Sequence, residues 1–144
     1  MRALALDIGE KRVGVAVSDP AARIASPVCV LPAAEVFSNA PSWRRVLSDW
    51  EPDVLVCGRP LTMGGEQGPQ AEAIEARARE IAEKCALPLE FWDERLSSAE
   101  AKRILHEQGL DERGMRGKID MVAASLILQS WLDARRTDGV EDHG

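Results

Sequence analysis

The sequence predicts an α/β fold built on a mixed five-stranded sheet that is flanked by helices. Two short strands near the start of the chain are separated by a tight turn, so they form an antiparallel hairpin. Two later strands are each reached through a helix, and such crossovers place strands parallel to their neighbours. A chain of 144 residues is long enough for one domain with its own core.

The first three strands follow from apolar runs. Residues 3–6 are apolar and lead into Asp7, and a short turn then precedes a Val-rich strand over residues 12–18. A third strand is predicted over residues 24–31. It contains Pro27, which cannot donate a ladder hydrogen bond, so we expect this strand near an edge of the sheet.

A helix, a buried strand and a second helix occupy the middle of the chain. Ser42 is available as the N-cap of the first helix. The apolar face of that helix is Trp43, Val46, Leu47 and Trp50. Residues 53–58 are predicted to form a strand, because the apolar run that follows Asp53 is typical of a buried parallel strand. The second helix begins at Pro69, and its apolar face is Ala71, Ile74, Ala78, Ile81 and Cys85.

The last third of the chain supplies one more strand and two helices. A strand over residues 89–92 runs into Asp93 and Glu94, and a capping box over residues 97–100 starts a helix that stops at Gly109. The apolar face predicted for the final helix is Ile119, Val122, Ala123, Leu126, Ile127 and Trp131. We expect a domain over residues 1–136 and a disordered tail over residues 137–144.

Composition limits the possible settings for this protein. No apolar run reaches the length of a membrane span or of a signal-peptide core, and the three cysteines form no CxxC pair. We therefore expect a cytoplasmic protein with reduced thiols and without a zinc site. The net charge of −6 argues mildly against nucleic-acid binding, although the basic residues are clustered.

Three carboxylates stand at the ends of predicted elements. Asp7 closes the first strand, Glu94 follows the fifth, and Asp120 opens the final helix. The carboxyl ends of neighbouring parallel strands meet at one edge of a sheet, so these acids are candidates for one site. Oxygen ligands without His or Cys favour Mg²⁺ or Mn²⁺. Each acid also has an ordinary interpretation, as a turn residue, a surface ion-pair partner or a helix N-terminal acid.

Several basic residues are candidates for binding a phosphate near those acids. Arginine contacts a phosphate with two parallel N–H groups, and lysine acts as a point charge. The candidates for substrate binding are Lys11, Arg12, Arg59, Arg95, Arg116 and Lys118. Solvated surface charge is the alternative interpretation. Trp43 and Trp50, on one helical face, are candidates for contact with a partner protein.

Four ordered blocks of residues resemble the signature blocks of the YqgF/RuvX family. They are residues 7–19, residues 58–61 with 68–71, residues 93–98, and residues 118–120 with 123–124. The resemblance extends from about residue 3 to residue 133, nearly the whole chain, and four blocks in order make a chance match improbable. Thr62 and Gly64 depart from the family pattern, in which Asn and Asp are usual in that loop.

The resemblance implies an RNase H-like fold and a metal-dependent nuclease whose metal-binding acids are Asp7, Glu94 and Asp120. Members of the family are described as pre-16S rRNA processing nucleases, with a role in ribosome biogenesis, and as Holliday junction resolvases. The expected partners are structured RNA or branched DNA, with a ribosomal or other protein as a further partner and the oligomeric state open.

Two other function classes remain open on the sequence alone. The first is a non-catalytic nucleic-acid-binding module of ribosome assembly, which the acidic pI near 5.0 favours. The second is a phosphate-binding half of an actin-like or sugar-kinase-like ATPase, which the residues Asp7-Ile8-Gly9 together with Gly14 fit. Such ATPases close two domains around the nucleotide, and a chain of this length supplies one.

Overall fold

Strands and helices follow one another along the chain largely as the apolar patterns predict, with one added short helix. The computed structural model describes residues 1–59, 68–93 and 118–143, and it describes side chains as far as residue 135. Within these ranges the elements are, in chain order, β1 (Ala3–Ile8), β2 (Arg12–Ser18), β3 (Ala25–Pro32), α1 (Ala33–Phe37), α2 (Pro41–Trp50), β4 (Val54–Arg59), α3 (Pro69–Cys85), β5 (Leu89–Asp93) and α4 (Ile119–His143). The helix predicted after Ser97 lies outside the described residues.

The five strands form one mixed sheet in the order β3-β2-β1-β4-β5. β1 pairs antiparallel with β2, and β2 pairs antiparallel with β3 across a register shift at Val15/Ala16. β4 pairs parallel with both β1 and β5. The sheet predicted from the sequence is therefore confirmed, and β3 is the edge strand that Pro27 indicates.

Each face of the sheet carries its own core, because successive side chains of a strand point to opposite faces. Leu4, Leu6 and Ile8 of β1 pack on the face that α1, α2 and α3 cover. Ala3 and Ala5 of the same strand pack against α4 on the other face. Small residues on that second face let the long helix α4 approach the strands closely.

The start of α2 differs from the prediction. Its N-cap is Ala40, whose carbonyl oxygen accepts hydrogen bonds from the amides of Trp43 and Arg44, and no side chain caps it. Ser42 lies inside the helix and donates its hydroxyl to a carboxylate oxygen of Glu35 on α1, at 2.5 Å. The N-cap prediction is therefore wrong, because Pro41 takes the first helical position and α1 supplies another acceptor for the serine.

The prediction that Trp43 contacts a partner protein is also wrong. Its side chain is only 1% exposed and belongs to the core beneath α2. A residue buried to that degree offers no surface to another protein, so Trp43 is no contact for a partner. Trp50, at the other end of the helix, packs partly buried against the same core.

The buried face of α4 is broader than predicted. Ala123, Ile127 and Trp131 are buried as expected, whereas Val122 and Leu126 are only partly buried. The pattern missed a second buried row formed by Ala124, Leu128 and Leu132. The helix lies across β2, β3 and β1, so it buries two adjacent rows of side chains rather than one.

The backbone of α4 is helical as far as His143. The division into a domain over residues 1–136 and a disordered tail over residues 137–144 stays a prediction. No helix in the described ranges is both long and apolar enough to cross a membrane.

Candidate functional site

The first predicted acid, Asp7, lies on the α4 face of the sheet near the carboxyl end of β1. Ala3 and Ala5 point to that face, and Asp7 follows at the same alternation. Its Cα partner across the hairpin is Gly14 of β2. Residues paired in this way point their side chains to the same face of an antiparallel ladder. Whatever lies over Gly14 therefore also lies beside Asp7.

The residue over Gly14 is Asp120, in the first turn of α4. A Cβ atom on Gly14 would lie 2.0 Å from the carbonyl oxygen of Asp120 and 2.7 Å from the amide nitrogen of Met121. Such distances are far inside van der Waals contact, so only glycine permits the helix to sit this close to β2. Paired Cα atoms in an antiparallel ladder are about 4.5–5.5 Å apart. The structure thus brings Asp7 and Asp120 together from positions 113 residues apart in the sequence.

Gly14 is a residue of the candidate site that the sequence analysis did not connect with the three acids. Its signal was present, because an isolated glycine inside a Val-rich strand indicates that another backbone approaches closely. The sequence did not show which backbone approaches Gly14. Only the packing of α4 identifies it as the main chain of Asp120.

The third predicted acid, Glu94, lies outside the described residues, as do Arg95 and Arg116. β5 ends at Asp93, the residue directly before Glu94, and Asp93 is the Cα partner of Arg59. Within the residues that the structure describes, no three His, Cys, Asp or Glu side chains are grouped so that they could hold a metal ion. The three-acid metal site therefore stays a prediction, with two of its members adjacent.

A positively charged side chain, that of Arg12, lies beside the two acids. Nε of Arg12, the first residue of β2, donates to Oδ2 of Asp120 at 3.1 Å. The arginine side chain is 55% exposed and the aspartate side chain 25% exposed. Arg12 thus lies beside Asp120 and is paired with a carboxylate of the protein, and its contact with substrate stays a prediction.

Two lysines flank the same region with exposed side chains. The carbonyl oxygen of Lys11 accepts a hydrogen bond from the amide of Ala33 at 2.8 Å, which fixes the backbone at the hairpin turn. The carbonyl oxygen of Lys118 accepts one from the amide of Val122 at 3.0 Å and so belongs to the first turn of α4. The backbones of both lysines are thus fixed close to Asp7 and Asp120, and their side chains are exposed to solvent.

Arg59 lies on the other face of the sheet from these acids. Cys57, two residues earlier in β4, packs into the core under α3, and Arg59 follows the same alternation. Its guanidinium lies over the ring of Phe91, 4.4 Å from the centroid, and one terminal nitrogen is 3.5 Å from a carboxylate oxygen of Glu75. This placement favours a structural role and does not support a contact with substrate beside Asp7.

Trp92 of β5 is a further feature that the sequence did not reveal. It packs partly buried against the α4-side core, the face that carries Asp7. Its indole Nε1 is buried and has no hydrogen-bond partner among residues 1–59, 68–93 and 118–135. A buried donor without an acceptor costs free energy, so this indole is an unusual feature of the face that carries Asp7.

Comparison with known proteins gives concordant matches. A family model described as "RuvX: Holliday junction resolvase" matches residues 1–134. A protein of Chloroflexus aurantiacus named "Putative pre-16S rRNA nuclease" is 42% identical over 140 residues, which cover 97% of this chain and 92% of the relative. A protein of the same name from Anaeromyxobacter sp. is 42% identical over 135 residues, which cover 94% and 98%.

Two solved structures show the same architecture. RuvC of T. thermophilus in complex with a Holliday junction substrate matches with a TM-score of 0.58 at 13% identity, over 94% of this chain and 96% of that one. The fowlpox virus Holliday junction resolvase matches with a TM-score of 0.55 at 14% identity, over 93% and 99%. At such identities the likeness shows the fold alone, and that fold is the predicted RNase H-like one.

The family model and the relatives cover nearly the whole length of this chain, including Asp7 and Asp120. They match it in sequence, and the solved structures match the sheet and helices that bring these two acids together. The chain therefore belongs to the RuvX family.

Proposed function

We propose that this protein is a metal-dependent endonuclease that hydrolyses phosphodiester bonds, with the 5′ end of pre-16S rRNA as its substrate and the cytoplasm as its setting. The observation that carries the proposal is the convergence of Asp7 and Asp120 over Gly14. Acids 113 residues apart meet where the carboxyl end of β1 and the first turn of α4 come together. The names of the relatives support RNA as the substrate.

The chemistry of these side chains fits a divalent cation. Carboxylate oxygens are the hard ligands that Mg²⁺ and Mn²⁺ prefer, and Asp120 is held at a helix N-terminus, where the helix dipole stabilises its negative charge. Glu94, which follows β5 directly in the sequence, is proposed as the third ligand. Bound there, such cations would supply an activated water and stabilise the leaving oxygen of the cleaved bond.

The acidic and basic side chains of the candidate site would have two separate roles, which are binding the cations and binding the phosphates. Asp7 and Asp120 would hold the cations on the α4 face, and the close contact at Gly14 sets the separation of their backbones. Lys11, Arg12 and Lys118 surround them with positive charge and would bind the phosphates on either side of the cleaved bond. Water attacks directly in this scheme, so no covalent intermediate with the protein forms.

The test is cleavage of two labelled substrates, an RNA spanning the 5′ precursor end of 16S rRNA and a four-way DNA junction. Each is incubated with Mg²⁺, with Mn²⁺ or with EDTA. The proteins are the wild type, Asp120→Asn and the control Asp49→Asn, which removes an exposed acid from α2 on the opposite face of the sheet. We expect metal-dependent cleavage of the RNA by the wild type and by Asp49→Asn only.

The same experiment separates the alternatives. Cleavage of the junction instead of the RNA would favour a resolvase acting in recombination, which the description of the family model supports. Binding of RNA without cleavage, equal in wild type and Asp120→Asn and insensitive to metal, would refute the nuclease. It would leave a non-catalytic assembly module.

A further inference from the structure

The ion pair between Arg12 and Asp120 joins the start of β2 to the start of α4 across 108 residues of sequence. Both side chains are partly exposed, and ion pairs of this kind contribute little to stability. The attachment of α4 does not need the pair, because Ala124, Ile127 and Leu128 bury the helix against the sheet. The consequence of the pair is therefore local and concerns the charge on Asp120.

The pair occupies an oxygen that a cation would require. Nε of Arg12 donates to Oδ2 of Asp120, and a metal ion bound by the same carboxylate competes for its lone pairs. A displaced guanidinium stays within the reach of its side chain from Asp120, because the main chain of Arg12 is held in place. Its carbonyl oxygen accepts a hydrogen bond from the amide of Gly9 at 2.9 Å, which closes the hairpin turn directly after β1.

We propose that Arg12 is the built-in counter-ion of Asp120, and that a cation arriving at Asp120 releases the guanidinium to a phosphate of the bound nucleic acid. This inference rests on the proposed nuclease function and assigns a regulatory role within the same site. One positive group serves two partners in turn. Arg12 lowers the affinity for metal when no substrate is present and raises the affinity for phosphate once metal is bound.

The geometry of the arginine side chain permits this release. The contact with Asp120 uses Nε, at one corner of a planar group that carries five N–H donors. Rotation of the side chain turns the same donors towards a phosphate, which arginine binds with two parallel hydrogen bonds. At 55% exposure, the side chain has room for that rotation.

The first test is direct binding of Mn²⁺, followed by the electron paramagnetic resonance signal of the free ion without nucleic acid. A cycle of four proteins is compared: wild type, Arg12→Gln, Asp120→Asn and the double variant. We expect Arg12→Gln to bind Mn²⁺ about 2- to 5-fold more tightly, the factor that corresponds to an exposed ion pair. In the Asp120→Asn background the same substitution should have no effect.

Arg45→Gln is the matched control, since it removes an exposed arginine from α2 on the other face of the sheet. Equal tightening by Arg45→Gln and Arg12→Gln would mean that general charge and not the pair is responsible, and would overturn the inference. So would an effect of Arg12→Gln that persists with Asn at position 120. If Mn²⁺ binding is absent, or is unchanged by Asp120→Asn, the proposed metal site itself fails and this inference fails with it.

The second test measures the phosphate contact. Binding of the precursor RNA is titrated against salt with Ca²⁺ present and with EDTA. Loss of one phosphate contact reduces the slope of log affinity against log salt by about 1. We expect that reduction for Arg12→Gln with Ca²⁺ only, because without a cation the guanidinium stays on Asp120. Equal slopes for the two proteins in Ca²⁺ would contradict the release of Arg12.

Discussion

Gly14 lies directly beneath the main chain of Asp120, so close that a Cβ atom on Gly14 would be 2.0 Å from the carbonyl oxygen of Asp120. Gly14 is also the Cα partner of Asp7. One glycine therefore determines how near a strand carboxylate and a helix carboxylate come to each other. It links the packing of α4 to the geometry of the candidate site.

The substitution Gly14→Ala should push the first turn of α4 away from β2. We expect a loss of about 1–3 kcal/mol in the free energy of unfolding, as for other overpacked sites, and weaker binding of Mn²⁺ because Asp120 moves away from Asp7. Urea unfolding and Mn²⁺ titration measure the two effects.

The control for Gly14→Ala is Val15→Ala. This substitution removes buried side-chain atoms on the opposite face of the same strand and should cost a similar free energy. It should leave Mn²⁺ binding unchanged. If both variants weakened Mn²⁺ binding equally, global loss of stability and not the contact at Gly14 would be the cause.

The sheet could be predicted from the sequence because its strands carry their information locally. The bounds of β2 agree with the predicted residues 12–18. The predicted apolar face of α3 contains four of the five buried residues of that helix, namely Ala71, Ile74, Ala78 and Ile81. Alternation and helical spacing follow from the direction of each side chain along its own element. They do not depend on which other element lies opposite.

The site could be predicted only in part, because its geometry depends on contacts between distant segments. The sequence named Asp7, Arg12 and Asp120 as candidates. It did not show the ion pair between Arg12 and Asp120, nor the glycine beneath the main chain of Asp120. Arg59 shows the same limit. Its position after a buried strand indicated the site, but the alternation of β4 puts it on the other face of the sheet, paired with Glu75.

The thiols of Cys29 and Cys85 should react slowly in the folded protein. Burial raises the pKa of both thiols, and for Cys85 a hydrogen bond with Trp43 partly opposes that shift. The reactive thiolate is therefore rarer at pH 8 than in an unfolded chain. Absorbance with Ellman's reagent should show slow labelling of the native protein and rapid labelling of all three cysteines after denaturation. Rapid native labelling of Cys29 or Cys85 would contradict the buried environment.

Asp19 should make stability depend on pH in the acid range. Its pKa lies below the ordinary value of 3.8, because its carboxylate accepts hydrogen bonds from the amides of Ile24 and Arg23 in the turn between β2 and β3. A lowered pKa means that the stabilisation is complete above the unfolded-state value and is lost as pH falls through the folded-state value. Asp19→Asn should flatten the curve of unfolding free energy against pH below about pH 4. Wild-type and variant curves of equal slope in that range would contradict this role.

Asp7→Asn should abolish cleavage without unfolding the protein. Loss of a partner that merely supports a metal ligand costs about 10- to 100-fold in activity or affinity, so loss of a ligand should cost at least about 100-fold in cleavage rate. The melting temperature should stay unchanged or rise, since the substitution relieves the repulsion between the carboxylates of Asp7 and Asp120. Cleavage rate and calorimetric melting are measured on the same sample, with Asp49→Asn as the control. A marked fall in melting temperature for Asp7→Asn would show instead that Asp7 stabilises the fold through its own contacts, and that its position in β1 does not reflect metal binding.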